Sequence, residues 1–127
     1  MMKKVIVTDK APGAIGPYSQ AVQAGGFLFA SGQIPLDPAT GRLVTGSIED
    51  QAKQVLENIK GLLEGAGYTM QDVIKSLVFA ADIKDFAAIN EVYAQYFSEN
   101  PPARSFVAVK DLPKGAQVEI EVVAWKD

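Results

Sequence analysis

Two kinds of side chain could carry chemistry in this chain, and both stand near a turn or on a strand. Arg104 follows Pro101-Pro102-Ala103, and a guanidinium held in a fixed direction can bind a carboxylate through two parallel hydrogen bonds. Glu119 and Glu121 would share one strand face, where one partly buried carboxylate could act as a general base on water. Two plainer interpretations stay open, an ion-pair role for Arg104 and an ordinary polar strand face for the glutamates.

The chain contains no histidine and no cysteine, which removes several classes of enzyme. A Ser-His-Asp triad, a Cys-His pair and nearly all zinc sites are impossible without these residues. Ser31 therefore has no histidine to activate it and is better read as a hydrogen-bonding residue. Tyr18 could be a core residue or offer its hydroxyl, and Asn90 is most simply a solvated polar residue on a helix.

The length of 127 residues and the absence of any repeat or linker predict one domain over residues 1–127. The net charge is −3, and the basic residues are scattered, so a concentrated phosphate-binding face is not indicated and nucleic acid is disfavoured as a partner. No apolar run is long enough to span a bilayer, so we expect no membrane association. The start of the chain lacks the apolar core of a signal peptide, and we expect a cytoplasmic protein.

Apolar periodicity and turn residues predict an α+β sheet with both helices on one face. Ser47 is predicted to cap a first helix that stops near Gly65 or Gly67, and Asp85 a second that Asn100-Pro101-Pro102 ends. The predicted strands are Val5–Val7, Tyr18–Ala24, Phe27–Ile34, Val73–Ala81, Ala103–Val109 and Gln117–Trp125, giving the order β, ββ, α, β, α, ββ.

One face of this sheet is predicted to be apolar but uncovered. In the last strand one alternating set faces the helices and the other faces away. The first set is Val118, Ile120, Val122 and Ala124; the second is Glu119, Glu121, Val123 and Trp125. The hairpin strand alternates in the same way and groups Phe27, Phe29, Ser31 and Gln33. Two phenylalanines, a valine and a tryptophan on an open face indicate a protein interface, most simply a homo-oligomer.

Four motifs together resemble the Rid (reactive intermediate deaminase) family, also called YjgF-like. They are Ala14–Gln20, Ser31–Pro35, Pro102–Ser105, and Leu112–Lys114 followed by Val118–Glu121, in the family's order along the whole chain. The resemblance implies a chorismate-mutase-like α+β fold and a homotrimer whose sheets form a central barrel. It also implies that the sites lie in clefts between subunits.

The resemblance assigns roles to particular residues. Arg104 matches the arginine that binds the substrate carboxylate, and Glu119 matches the glutamate that positions or activates the attacking water. The matched substrate-binding residues are Tyr18, Ser31, Gly32 and Asn90.

One position departs from the family pattern. Phe106 stands where archetypal members carry a cysteine, and it shares the alternation face of Arg104. We count Phe106 among the substrate-binding residues and expect its ring to crowd the pocket, which bears on the size of the substrate.

The implied reaction is the hydrolysis of reactive 2-enamino and 2-imino acids, such as 2-aminoacrylate and 2-iminopropanoate, to 2-keto acids and ammonia. It needs no metal and no cofactor, which agrees with the missing histidines. Two other functions remain in view: an endoribonuclease or translation inhibitor, and a non-catalytic ligand-binding or holdase protein.

Overall fold

The computed structural model describes residues 2–127 and confirms the predicted order of elements. Two α-helices and six strands make up an α+β fold: β1 (Lys4–Ile6), β2 (Ala21–Ala24), β3 (Phe27–Ala30), α1 (Ile48–Gly65), β4 (Val73–Ala80), α2 (Phe86–Tyr96), β5 (Ala103–Ala108) and β6 (Val118–Trp125). None of the helices within residues 2–127 is long and apolar enough to cross a membrane.

The strands form one sheet in the order β1-β2-β3-β6-β4-β5. Neighbours are antiparallel except β4 and β5, which are parallel and are connected through α2. The turn between β2 and β3 consists of Gly25 and Gly26, as predicted, and Gly25 takes a φ of +59° that glycine adopts without strain. Strand β5 therefore lies at one edge of the sheet, with α2 leading into it.

Both helices begin where the sequence predicts. The hydroxyl of Ser47 accepts a hydrogen bond from the backbone N–H of Asp50, whose carboxylate accepts in return from the Ser47 N–H, so a capping box starts α1. Helix α2 follows Asp85, whose side chain makes no capping hydrogen bond in the described part of the chain, so the predicted cap is confirmed in position only. The helix ends at Tyr96, earlier than Asn100-Pro101-Pro102. The reason is Phe97, which leaves the helical conformation and packs its buried ring 4.7 Å from that of Tyr93.

The core lies between the sheet and the two helices, and the other sheet face is open in the single chain. All four predicted core residues of β6 are at most 2% exposed. On the opposite face Phe27, Phe29 and Trp125 are 42%, 50% and 43% exposed. The prediction of an uncovered apolar face is therefore confirmed for the isolated chain.

The hairpin strands are shorter than predicted, and the alternation of β3 does not continue past Ala30. Phe29 pairs with Val123, whereas Gln33 forms an isolated bridge with Ile120, so β3 has one residue more than β6 between these pairs. This extra residue works as a β-bulge and reverses the face of the residues after it. Gln33 is consequently buried, and the prediction that it shares a face with Phe27 and Phe29 is wrong.

Candidate functional site

Arg104 lies on the helix-covered side of the sheet, beneath α2. Its register partner on β4 is Ser76, which is fully buried on that side. The Arg104 Nη1 atom donates a 2.7 Å hydrogen bond to Oδ1 of Asn90. Asn90 is therefore more than a solvated helix residue, because its amide oxygen fixes one edge of the guanidinium.

Aromatic rings supply the remaining close neighbours of the guanidinium. Its central carbon lies 4.8 Å from the ring centroid of Tyr93, 5.5 Å from that of Phe106 and 5.9 Å from that of Phe86. An amide oxygen and three rings carry no formal negative charge, so none of these neighbours neutralises Arg104. A half-buried guanidinium in this state is suited to an anionic partner from outside the cluster.

Glu119 lies on the opposite, open side of the sheet. Its register partner on β4 is Phe79, one residue out of phase with the buried positions Val78 and Ala80. A cavity of about 190 Å³ opens beside Glu119, and its lining includes Tyr18, Gly32 and Gln33.

Electrostatics favour proton transfer at Glu119. Burial raises the pKa of the Glu119 carboxyl above its ordinary value, and the negative charge of Glu121 raises it further. A carboxylate with a raised pKa binds protons more strongly, which suits a general base acting near neutral pH.

Gly32 provides the room that the Glu119 carboxyl occupies. A Cβ atom at Gly32 would lie 2.9 Å from Cδ of Glu119 and closer still to its Oε2 atom. Any side chain at this position would displace the carboxyl group. Gly32 therefore has a steric role beside Glu119, and its predicted place among the substrate-binding residues stays a prediction.

Tyr18 lines this cavity and Ser31 precedes the cavity residue Gly32, and their hydroxyl groups make different hydrogen bonds. The Tyr18 ring is half exposed, and its hydroxyl accepts a 3.3 Å hydrogen bond from the Ile15 N–H. The Ser31 hydroxyl donates at 2.6 Å to the carbonyl oxygen of Ser19, so its proton is already engaged. This bond agrees with a hydrogen-bonding role for Ser31 and leaves its lone pairs free.

Gln20 supports the cavity wall, a role that sequence reasoning missed. Its side-chain amide donates to the carbonyl oxygens of Thr8, Ala11 and Pro12 and accepts from the Thr8 N–H. Gln20 therefore holds the loop that carries Pro12, which lines the cavity. Its place in the Ala14–Gln20 motif was the sole signal, since periodicity does not distinguish a buried glutamine from an exposed one.

The predicted site residues form two groups that do not meet within one chain. Arg104, Asn90 and Phe106 lie together under α2, and Phe106 packs edge-to-face on Phe86 at 4.7 Å between centroids. The Glu119 group lies on the other side of the sheet, with β4 between the strands of the two groups. A cleft containing both groups stays a prediction, and it requires a second chain.

Comparison with known proteins identifies the class to which this fold and these two groups belong. The model of the family described as Endoribonuclease L-PSP matches residues 8–126. A RutC family protein of Pyrococcus horikoshii is 59% identical over 126 residues, covering 99% of this chain and 100% of that protein. The chain belongs to the YjgF/RutC/Rid family.

The printed names of two further relatives state an activity and a bound ligand for those proteins. The human 2-iminobutanoate/2-iminopropanoate deaminase is 50% identical, covering 98% of this chain and 90% of that protein. The crystal structure of E. coli TdcF with bound serine superposes with a TM-score of 0.93 at 47% identity, covering 98% of this chain and 99% of that chain.

Proposed function

We propose that this protein hydrolyses reactive 2-imino acids and their enamine tautomers to 2-keto acids and ammonia. The proposal rests on the state of the Arg104 guanidinium. Asn90 orients it through a hydrogen bond, and its cluster contains no carboxylate that would neutralise its charge. A 2-imino acid carries its carboxylate next to the reacting carbon, so an arginine that binds the carboxylate also positions the imine carbon. The name of the human relative and the serine bound to TdcF point to the same class of ligand.

Glu119 supplies the proton transfer in the proposed reaction. Water attacks the imine carbon, a C–O bond forms, and Glu119 accepts a proton from that water. The nitrogen of the protonated imine keeps the C=N electron pair, which gives a neutral carbinolamine. Glu119 then returns its proton to that nitrogen, the C–N bond breaks, and the carbinolamine hydroxyl loses its proton to Glu119 as the C=O bond forms, so nitrogen leaves as ammonia. The raised pKa of Glu119 serves both steps, because the same group must accept a proton and then release it.

A complete site is proposed to form between two subunits of a homotrimer. Arg104 and Glu119 lie on opposite sides of their own sheet, so a single chain offers a carboxylate-binding half and a proton-transfer half in separate places. The exposed phenylalanines and Trp125 on the Glu119 side give that face the character of a subunit interface. Arg104 lies on β5, the edge strand of the sheet, and we propose that this edge meets the open face of a neighbouring chain, so that Arg104 of one chain and Glu119 of the other share a cleft.

A coupled assay with a conservative arginine variant tests this function. A serine dehydratase generates 2-aminoacrylate, and imine decay is followed with wild type, Arg104→Lys and Arg42→Lys. Lysine keeps the charge but loses the two-pronged geometry, so we expect Arg104→Lys to lower kcat/KM by roughly 10- to 100-fold. Arg42 is exposed in a loop and is the other arginine of the chain, which makes Arg42→Lys a matched control with unchanged activity.

The family description Endoribonuclease L-PSP makes RNA cleavage the competing outcome. The deaminase proposal would be refuted if the wild-type protein left the spontaneous rate of imine decay unchanged for both small and larger imines. Cleavage of RNA by the same preparation, equal in wild type and Arg104→Lys, would then favour the competing activity.

A further inference from the structure

We infer that Phe86, Tyr93 and Phe106 form an aromatic seat that positions Arg104 for carboxylate binding. The inference rests on the proposed function and extends it to residues that do not themselves bind the carboxylate. Each of the three ring centroids lies within 5.9 Å of the central carbon of the Arg104 guanidinium. A guanidinium over aromatic faces is stabilised by the cation–π interaction.

The seat follows from the periodicity of α2 and β5. Phe86, Asn90 and Tyr93 are spaced by four and three residues, so they project from one face of the helix toward the strand below. Phe106 lies two residues after Arg104 on the same side of β5. One helix face and one strand face thus surround the guanidinium with three rings and an amide.

The rings are themselves fixed in place. The Tyr93 hydroxyl and the Ser76 hydroxyl share a buried 2.6 Å hydrogen bond, which holds the Tyr93 ring at its far end. Phe86 and Phe106 pack edge-to-face at 4.7 Å with an interplanar angle of 67°. A rigid seat restricts the rotamers of Arg104 before the ligand arrives, and pre-organisation of this kind increases affinity.

Ring contacts also leave the hydrogen-bonding capacity of Arg104 free. A guanidinium has five N–H donors, and the cluster engages one of them through Asn90. A seat built from carboxylates would instead occupy those donors and cancel the charge. In this chain Phe106 acts as a positioning residue.

Titration with pyruvate, a stable 2-keto acid, tests the seat without relying on turnover. We expect Phe106→Leu and Phe86→Leu to weaken pyruvate binding by about 2- to 5-fold each, the size of one exposed cation–π contact. Phe86→Tyr restores an aromatic face and should bind like wild type. Phe86 is 42% exposed, so its variants are expected to fold even if Phe106→Leu does not.

Two further readouts separate positioning from general structural damage. Affinity for methyl pyruvate, which lacks the carboxylate charge, should not change in the leucine variants. In the imine assay the same variants should raise KM by a similar factor with kcat nearly unchanged, because the seat acts on ground state and transition state alike.

Leucine variants that bind pyruvate as tightly as wild type would overturn the seat, as would Phe86→Tyr losing as much affinity as Phe86→Leu. Failure of the proposed function has a different signature: wild type would then leave imine decay unchanged, whatever the pyruvate titrations show.

Discussion

Replacement of Gly32 by alanine should slow the reaction by moving the Glu119 carboxyl. The added Cβ would lie 2.9 Å from Cδ of Glu119 and 3.1 Å from its Cγ. Carbon atoms in contact prefer separations of at least about 3.5 Å, so the carboxyl carbon must shift by about 0.6 Å or more. Misplacement of a reacting group by about 1 Å can cost on the order of 100-fold. We therefore expect kcat to fall by about 10- to 100-fold.

The same substitution should leave the fold and the carboxylate-binding half intact. The group that must move is the end of a flexible side chain, and the backbone of Gly32 lies outside the left-handed region. A stability change of less than about 1 kcal/mol is expected. Thermal unfolding and pyruvate titration check these two points, and Glu119→Gln sets the lower limit of activity. Wild-type kcat in Gly32→Ala would refute the steric argument, and loss of pyruvate binding would show that the damage extends beyond Glu119.

Three other predictions concern Glu119 and the open face. Because Glu119 must be ionised to accept a proton, activity should fall as pH drops through its raised pKa, and Glu121→Gln should move that limb of the pH–rate profile to lower pH; an unmoved limb would contradict the coupling. Folding raises the pKa of the Glu119 carboxyl, so its contribution to stability is present below the ordinary pKa of 4.5 and is lost as pH rises through the raised pKa. Glu119→Gln cannot ionise and should therefore raise the Tm at pH 7 while removing activity. Phe29→Asp, on a residue 50% exposed in the single chain, should yield folded protein of monomer mass without deaminase activity; an active monomer in sedimentation would rule out a shared site.

The sequence determined the elements and the character of their faces. The stripe of apolar residues after Ser47 predicts a capped helix, and the all-apolar set Val118, Ile120, Val122 and Ala124 predicts a strand buried on one side. Both follow from local backbone geometry, which is why the sequence suffices for them. The uncovered apolar face follows from the same alternation.

The tertiary structure decided which residues of different strands and helices lie on the same side of the sheet. Alternation places Arg104 and Phe106 together, but it does not say whether they share a side of the sheet with Glu119, which depends on strand order and register. The bulge after β3 depends on pairing with β6, so the two-residue alternation of a strand could not predict the burial of Gln33. It could not predict the close approach of Gly32 to Glu119 either. Contacts between residues distant in the chain, such as Asn90 with Arg104, are set by packing rather than by local preference. For that reason candidate residues could be named from the sequence, whereas their division between two sides of the sheet required the fold.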